Sequence, residues 1–225
     1  MGGLGVNDVP IVGEPIAYGT GFIALLVVCF STYVARYFYF YATAGGSLLV
    51  RVGLARRISG FWLYGEGSVG SEIEGSGGWP TMVLAPLASY LGAPLLGLGG
   101  AALIASGNPW AVLLAAVFLS LLALLVARNP LAFTVPLLVV VGLGFALLYG
   151  SGEQQAFAAA FVAWFLLLAG AVWSFRIPAD KGPSETLPRR TLIPGLLWRL
   201  LWIVVAIVAL IVGGQLLLRP GYGIG

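Results

Sequence analysis

The chain has 225 residues, 60% hydrophobic and 8% charged, with 11 Lys and Arg against 8 Asp and Glu, a net charge of +3 and no histidine. Its mean hydropathy of +1.02 excludes an ordinary soluble domain, which is about half apolar and a quarter charged. The small positive charge is divided among short loops, so no nucleic-acid partner is expected.

Lipid admits only helices or closed barrels, and a spanning helix needs about 20 mainly apolar residues. Near-continuous apolar runs of that length point to helices, because a barrel strand would alternate over about 10 residues. The opening MGGLGVNDVPIVGEP is polar and mildly acidic, without the basic stretch and short apolar core of a cleaved leader, so the first apolar run is expected to be retained. That run carries the single cysteine, Cys29, which has no intrachain partner and reads as a small apolar residue. The first span is placed over Gly21 to Thr43. Residues 18–54 together are too long for one crossing at about 1.5 Å per residue, so the helix is expected to continue past residue 43 into the cytoplasmic interface. Two membrane segments there would instead move the N-terminus to the other side.

The next stretch, ISGFWLYGEGSVGSEIEG, alternates as two short strands joined near Gly65 to Ser68 would. Glu66, Glu72 and Glu74 raise the question of a calcium loop, but the Asp and Asn ligands and regular spacing of one are missing; a hairpin with solvated carboxylates is the plainer reading. Further spans follow at Pro80–Ala105, Trp110–Val126, Leu131–Tyr149, Ala156–Phe175 and Leu192–Leu218. Turn chemistry separates them: SGNP at 106–109, RNP at 128–130, GSGEQQ at 150–155 and RIPADKGPSETLPRR at 176–190. The expected fold is an all-α, polytopic transmembrane bundle of about six spans with a small β-hairpin between the first two. It divides into an extracytoplasmic segment (1–20), a membrane core (21–175), a cytoplasmic loop (176–191) and a C-terminal helix with a short tail (192–225).

With the first helix starting outside, Arg56, Arg57, Arg128, Arg176, Lys181, Arg189 and Arg190 face the cytoplasm and Asp8, Glu14 and Glu153 face out, which puts both termini outside. Arg219 alone falls on the wrong side. Trp62, Trp79, Trp110, Trp198 and Trp202 lie near span ends, where aromatic anchors gather. Arg36 and Arg199 fall inside apolar segments; each either snorkels to headgroup phosphates or contacts protein or bound lipid. Arg56 and Arg57 are further candidates for headgroup contact, although the orientation signal alone accounts for them. The aromatic run YFYFY at 37–41 reads as lipid-facing or packed against a partner, and the small residues of TAGGS at 43–47 and GLGG at 97–100 allow helices to approach closely. No internal repeat is evident, which argues against an inverted-repeat transporter.

Four features in succession carry a family resemblance: GLARRISGFWL at 53–63, GEGSVGSEIEGSGGWP at 65–80, APLASYLGAPLLGLGG at 85–100 and LLVARNPLAF at 124–133. In order and spacing the chain resembles the compact bacterial relatives of the site-2 protease family, zinc-dependent intramembrane metalloproteases, over about residues 34–175. The resemblance implies a helix bearing H-E-x-G-H. Counted back from Arg56 and Arg57, that motif falls on Thr43, Ala44, Gly45, Gly46 and Ser47, with Thr43, Ala44 and Ser47 in place of histidine, glutamate and histidine.

The zinc motif works by setting two imidazoles one helical turn apart as ligands, with a glutamate polarising the metal-bound water. Threonine, alanine and serine supply none of these functions. The aspartate that the resemblance implies as third ligand is also missing, since residues 129–150 contain no acid; Gly46 and Asn129 are what remains of the pattern. A serine–histidine dyad needs a histidine, Asp8 and Asp180 fall in loops on opposite sides, and Lys181 is a loop residue beside Asp180. No haem or iron–sulfur ligand set exists either, and no cofactor is expected.

These readings converge on a non-catalytic relative of the intramembrane proteases in a bacterial inner membrane, with membrane lipids and other transmembrane subunits as partners. It would serve as a structural or assembly subunit or as a binder of transmembrane segments. The alternative is a small permease or lipid-binding protein that uses Arg36 and Arg199.

Overall fold

The computed structural model describes residues 13–30, 35–39, 41–43, 45–46, 58–63, 69–73, 79–176, 187, 191 and 193–218. In chain order these form α1 (Glu14–Phe30), α2 (Ala35–Thr43), β1 (Ile58–Leu63), β2 (Val69–Ile73), α3 (Trp79–Ala105), α4 (Pro109–Val126), α5 (Pro130–Tyr149), α6 (Gly152–Arg176) and α7 (Gly195–Leu218). Helices α3 to α7 are each long and apolar enough to cross a membrane, and α1 with α2 makes a sixth crossing if the pair is one bent span. The chain is a polytopic helical membrane protein.

The first span departs from the expected Gly21–Thr43 rod. Its helix begins earlier, at Glu14, inside the segment assigned to an extracytoplasmic tail, and ends at Phe30; α2 then runs at 108° to it. The sequence between them, Ser-Thr-Tyr-Val at 31–34, contains no strong helix former. A 17-residue α1 followed by a crosswise α2 explains why residues 18–54 were too long for one crossing.

The other boundaries follow local chemistry. After α3 the chain turns at Gly107, whose φ of 80° suits a residue without Cβ; its N–H donates to the Ile104 carbonyl and that of Asn108 to Leu103, satisfying two of the helix's last carbonyls. Asn129 caps α5 by accepting the Ala132 N–H at 3.0 Å, with Pro130 following at the first helical position. Strands β1 and β2 pair antiparallel, Phe61 opposite Ser71 and Leu63 opposite Val69, and β1 lies near both α4 and α5.

Helix α6 stands at the centre, packed on α1, α3, α4 and α7. Its sequence allows this: Ala159, Ala160, Ala163, Ala169 and Gly170 are buried and bring neighbouring backbones close. Gly170 makes room for the ring of Pro94 on α3, while Gly21 and Gly214 seat the indole of Trp164. That indole donates to the Ala17 carbonyl on α1 at 3.1 Å. Trp202, expected to be an interfacial anchor, is instead 4% exposed and stacked on Tyr90 with ring centroids 3.7 Å apart, because α7 turns that face toward α3.

Candidate functional site

Helix α2 brings several of the singled-out residues into the bundle. Thr43 is buried, and Gly46, a turn further on, lies directly against α3. A Cβ built on Gly46 would meet the Ala88 carbonyl oxygen and stand 2.8 Å from the Gly92 Cα; one built on Gly92 would stand 3.0 Å from the Gly46 Cα. Backbone meets backbone here, so neither position accepts a side chain unless a helix moves. Gly92 belongs to the SYLGAPLLG run of the second apolar segment. Ala44, Ser47, Arg56 and Arg57, like Glu66, Glu74 and Lys181, lie outside the described residues.

On its other side α2 borders a cavity of about 450 Å³. Tyr41, Ala42 and Gly45 form one wall, Ser120 and Leu119 of α4 and Gly142 and Leu143 of α5 the opposite one, and Phe161 and Phe165 of α6 the base. Its two polar side chains are engaged with each other: the Tyr41 hydroxyl donates to Ser120 Oγ at 2.6 Å, and Ser120 donates on to the Ala116 carbonyl at 2.6 Å. Among the described residues lining the cavity, no base stands beside Ser120 to make it a nucleophile. The lining supplies shape and apolar surface. The clue to this pair in the sequence was Ser120, the lone hydroxyl in PWAVLLAAVFLSLLALLV; sequence reasoning passed over it.

The donors that the described residues place along the cavity and at Thr43 do not make a zinc-ligand set. Among the described residues they are the hydroxyls of Tyr41, Thr43 and Ser120, and no imidazole, thiolate or carboxylate lines the cavity. Asn129, the other remnant of the expected pattern, works as a helix cap at the start of α5.

The two intramembrane arginines each contact the last turns of α6. The guanidinium of Arg36 stands 5.9 Å from the centre of the Trp173 ring, and Arg199 donates to the Phe175 carbonyl at 3.1 Å. Neither reaches the cavity lining.

With this geometry in hand, comparison with protein families gives a match to the Peptidase M50B-like model over residues 16–213. The chain belongs to the Peptidase M50B-like family. Comparison with curated proteins and with solved structures gives no match. The family match begins in α1 and ends in α7, so the site-2 protease-like assignment extends to the helices that flank residues 34–175.

Proposed function

We propose that this member of the Peptidase M50B-like family has lost zinc proteolysis and serves as a structural or assembly subunit of a larger membrane complex. The observation that carries this reading is the complete lack of histidine in 225 residues, with Thr43, Ala44 and Ser47 at the motif positions. Support comes from Thr43, at the first motif position, which is buried and offers only a hydroxyl. Further support comes from α5, which turns Phe145, Leu148 and Tyr149 outward at 67%, 76% and 75% exposure, a broad face for lipid or a neighbouring span. The arginine-bearing end faces the cytoplasm of a bacterial inner membrane, and both termini lie outside, by the positive-inside rule.

The test is isolation of the native protein from its membrane in mild detergent. A fixed stoichiometry with other membrane chains is the expected result; migration as an isolated chain overturns the assembly reading. Metal analysis of the same preparation addresses the chemistry separately, and one tightly held zinc per chain would defeat the non-catalytic reading.

A further inference from the structure

The cavity beside α2 is lined by hydrocarbon from six helices. Val27 of α1, Phe38 of α2, Leu96 of α3, Leu119 of α4, Leu138 of α5 and Phe165 of α6 all border it. Among the described residues that line it none is charged. Its two hydroxyls offer no proton to a guest, because Tyr41 donates to Ser120 and Ser120 donates to the Ala116 carbonyl.

That chemistry, with the size of the space, decides what can fill it. An ordered water needs about two to four polar partners, and this lining presents it no free donor. Leaving the space empty is unfavourable, since atoms along its wall would lack dispersion partners on one side. A guest helix is too thick: with its side chains it is about 10–12 Å across, so about 450 Å³ holds roughly one turn. A single hydrocarbon chain is thin enough. An apolar cavity of about 150 Å³ takes one benzene ring, so a space of about 450 Å³ takes a chain of roughly 18 carbons.

The bundle also gives such a chain a way in. Helices α1 and α5 both border the cavity, yet among the described residues no Cα of α1 comes within 8 Å of one in α5. The α5 wall is loosely built, with Leu138 at 57% exposure and nothing within 4 Å of a Cβ placed on Gly142. Phe165, on the α6 side, is 8% exposed and marks the deep end. In a membrane protein the medium beside α5 is lipid hydrocarbon. A headgroup cannot follow its chain inside, because the lining holds no partner for a buried charge.

We propose that the cavity between α2, α4, α5 and α6 is a binding site for one acyl chain of a membrane lipid, which enters between α1 and α5 and leaves its headgroup outside. The site goes beyond the subunit reading and stands whether or not the chain is part of a complex.

The test places the full chain in nanodiscs of phosphatidylcholine containing a small fraction of phosphatidylcholine with a diazirine on one acyl chain. After illumination, carbene adducts are mapped by mass spectrometry. A seated chain predicts an adduct at Phe165, and phosphatidylglycerol with the same labelled chain gives it equally. Gly142→Phe puts a ring into the cavity and removes that adduct. Gly144→Phe, on the same helix where a Cβ also meets nothing within 4 Å but outside the lining, keeps it. Should Gly142→Phe fail to fold, Gly45→Phe blocks the space from the α2 wall, where a Cβ again has nothing within 4 Å. Adducts confined to outward side chains such as Phe145 and Leu148 would overturn the site, as would a Phe165 adduct that survives the blocking variants. Labelling with only one of the two headgroups would overturn the placement of the headgroup outside. In native membranes, an azido-phenylalanine at Phe161 that captures a protein span in place of lipid would give the cavity to a guest helix and overturn the acyl-chain assignment.

Discussion

The two sides of the bundle are built differently. Around α6 the helices are closely set: 61% of its apolar core is buried within the protein, and the contacts run through glycine, alanine and one large indole. The α4–α5 hairpin is its opposite. Only 17% of the core of α5 is buried, it meets α6 lightly, and leucines, valines and Phe145 point outward. Lipid supplies no hydrophobic drive for helices to associate, so contact depends on how closely backbones approach. The small residues of α6 and its neighbours supply that approach; the bulky surface of α5 leaves it paired with α4 and open to whatever lies beside it. Between the two sides stands the cavity, walled by α2 and α5 and based on α6.

The comparison breaks most readily at Gly46. A methyl group there meets backbone atoms of Ala88 and Gly92 rather than the end of a movable side chain, so Gly46→Ala should cost about 3 kcal/mol, the upper part of the range for overpacking. Unfolding in mixed micelles checks this. Wild-type stability in the variant would mean that the chain at Gly46 is not seated against α3. A smaller loss is expected from Trp164→Phe. The change removes the indole bond to the Ala17 carbonyl and part of the volume seated between Gly21 and Gly214, for a cost of about 1–2 kcal/mol. Because Thr20 also donates to that carbonyl, the carbonyl stays satisfied and the loss remains moderate.

Much of the tightly packed side was legible in the sequence. Apolar length gave α3 to α7 to within a few residues, and turn residues gave their ends, because burial in lipid and helix capping are local requirements. The small-residue runs announced close contacts, yet that Gly46 meets Gly92 was not readable from them, since register between helices is a tertiary property. The turn between α1 and α2 was hidden for a related reason. Hydropathy measures transfer out of water and is the same for a straight helix and for two helices at 108°. Trp202 looked like an anchor by position and became a core residue by facing Tyr90. Arg36 and Arg199 were both conspicuous as charges in apolar runs, but only the fold brings Arg36 to the Trp173 ring and Arg199 to the Phe175 carbonyl. At the motif positions, the chemistry that Thr43, Ala44 and Ser47 lack was readable at once, while the seat of Gly46 required three dimensions.

On the loose side the smallest effect is expected, with the opposite sign. A Cβ built on Gly142 has nothing within 4 Å, so Gly142→Ala removes backbone freedom from α5 without steric cost and should stabilise by up to about 1 kcal/mol. The substituted methyl would project where the cavity wall is open, which gives the measurement a second use. A gain in detergent and in native membranes alike means that the space beside Gly142 is filled by fluid chains that yield to a methyl group. A gain in detergent with loss of a co-purifying chain from the native preparation would instead place a neighbouring span against α5, and so locate the subunit contact on the side of the bundle that the protein itself leaves uncovered.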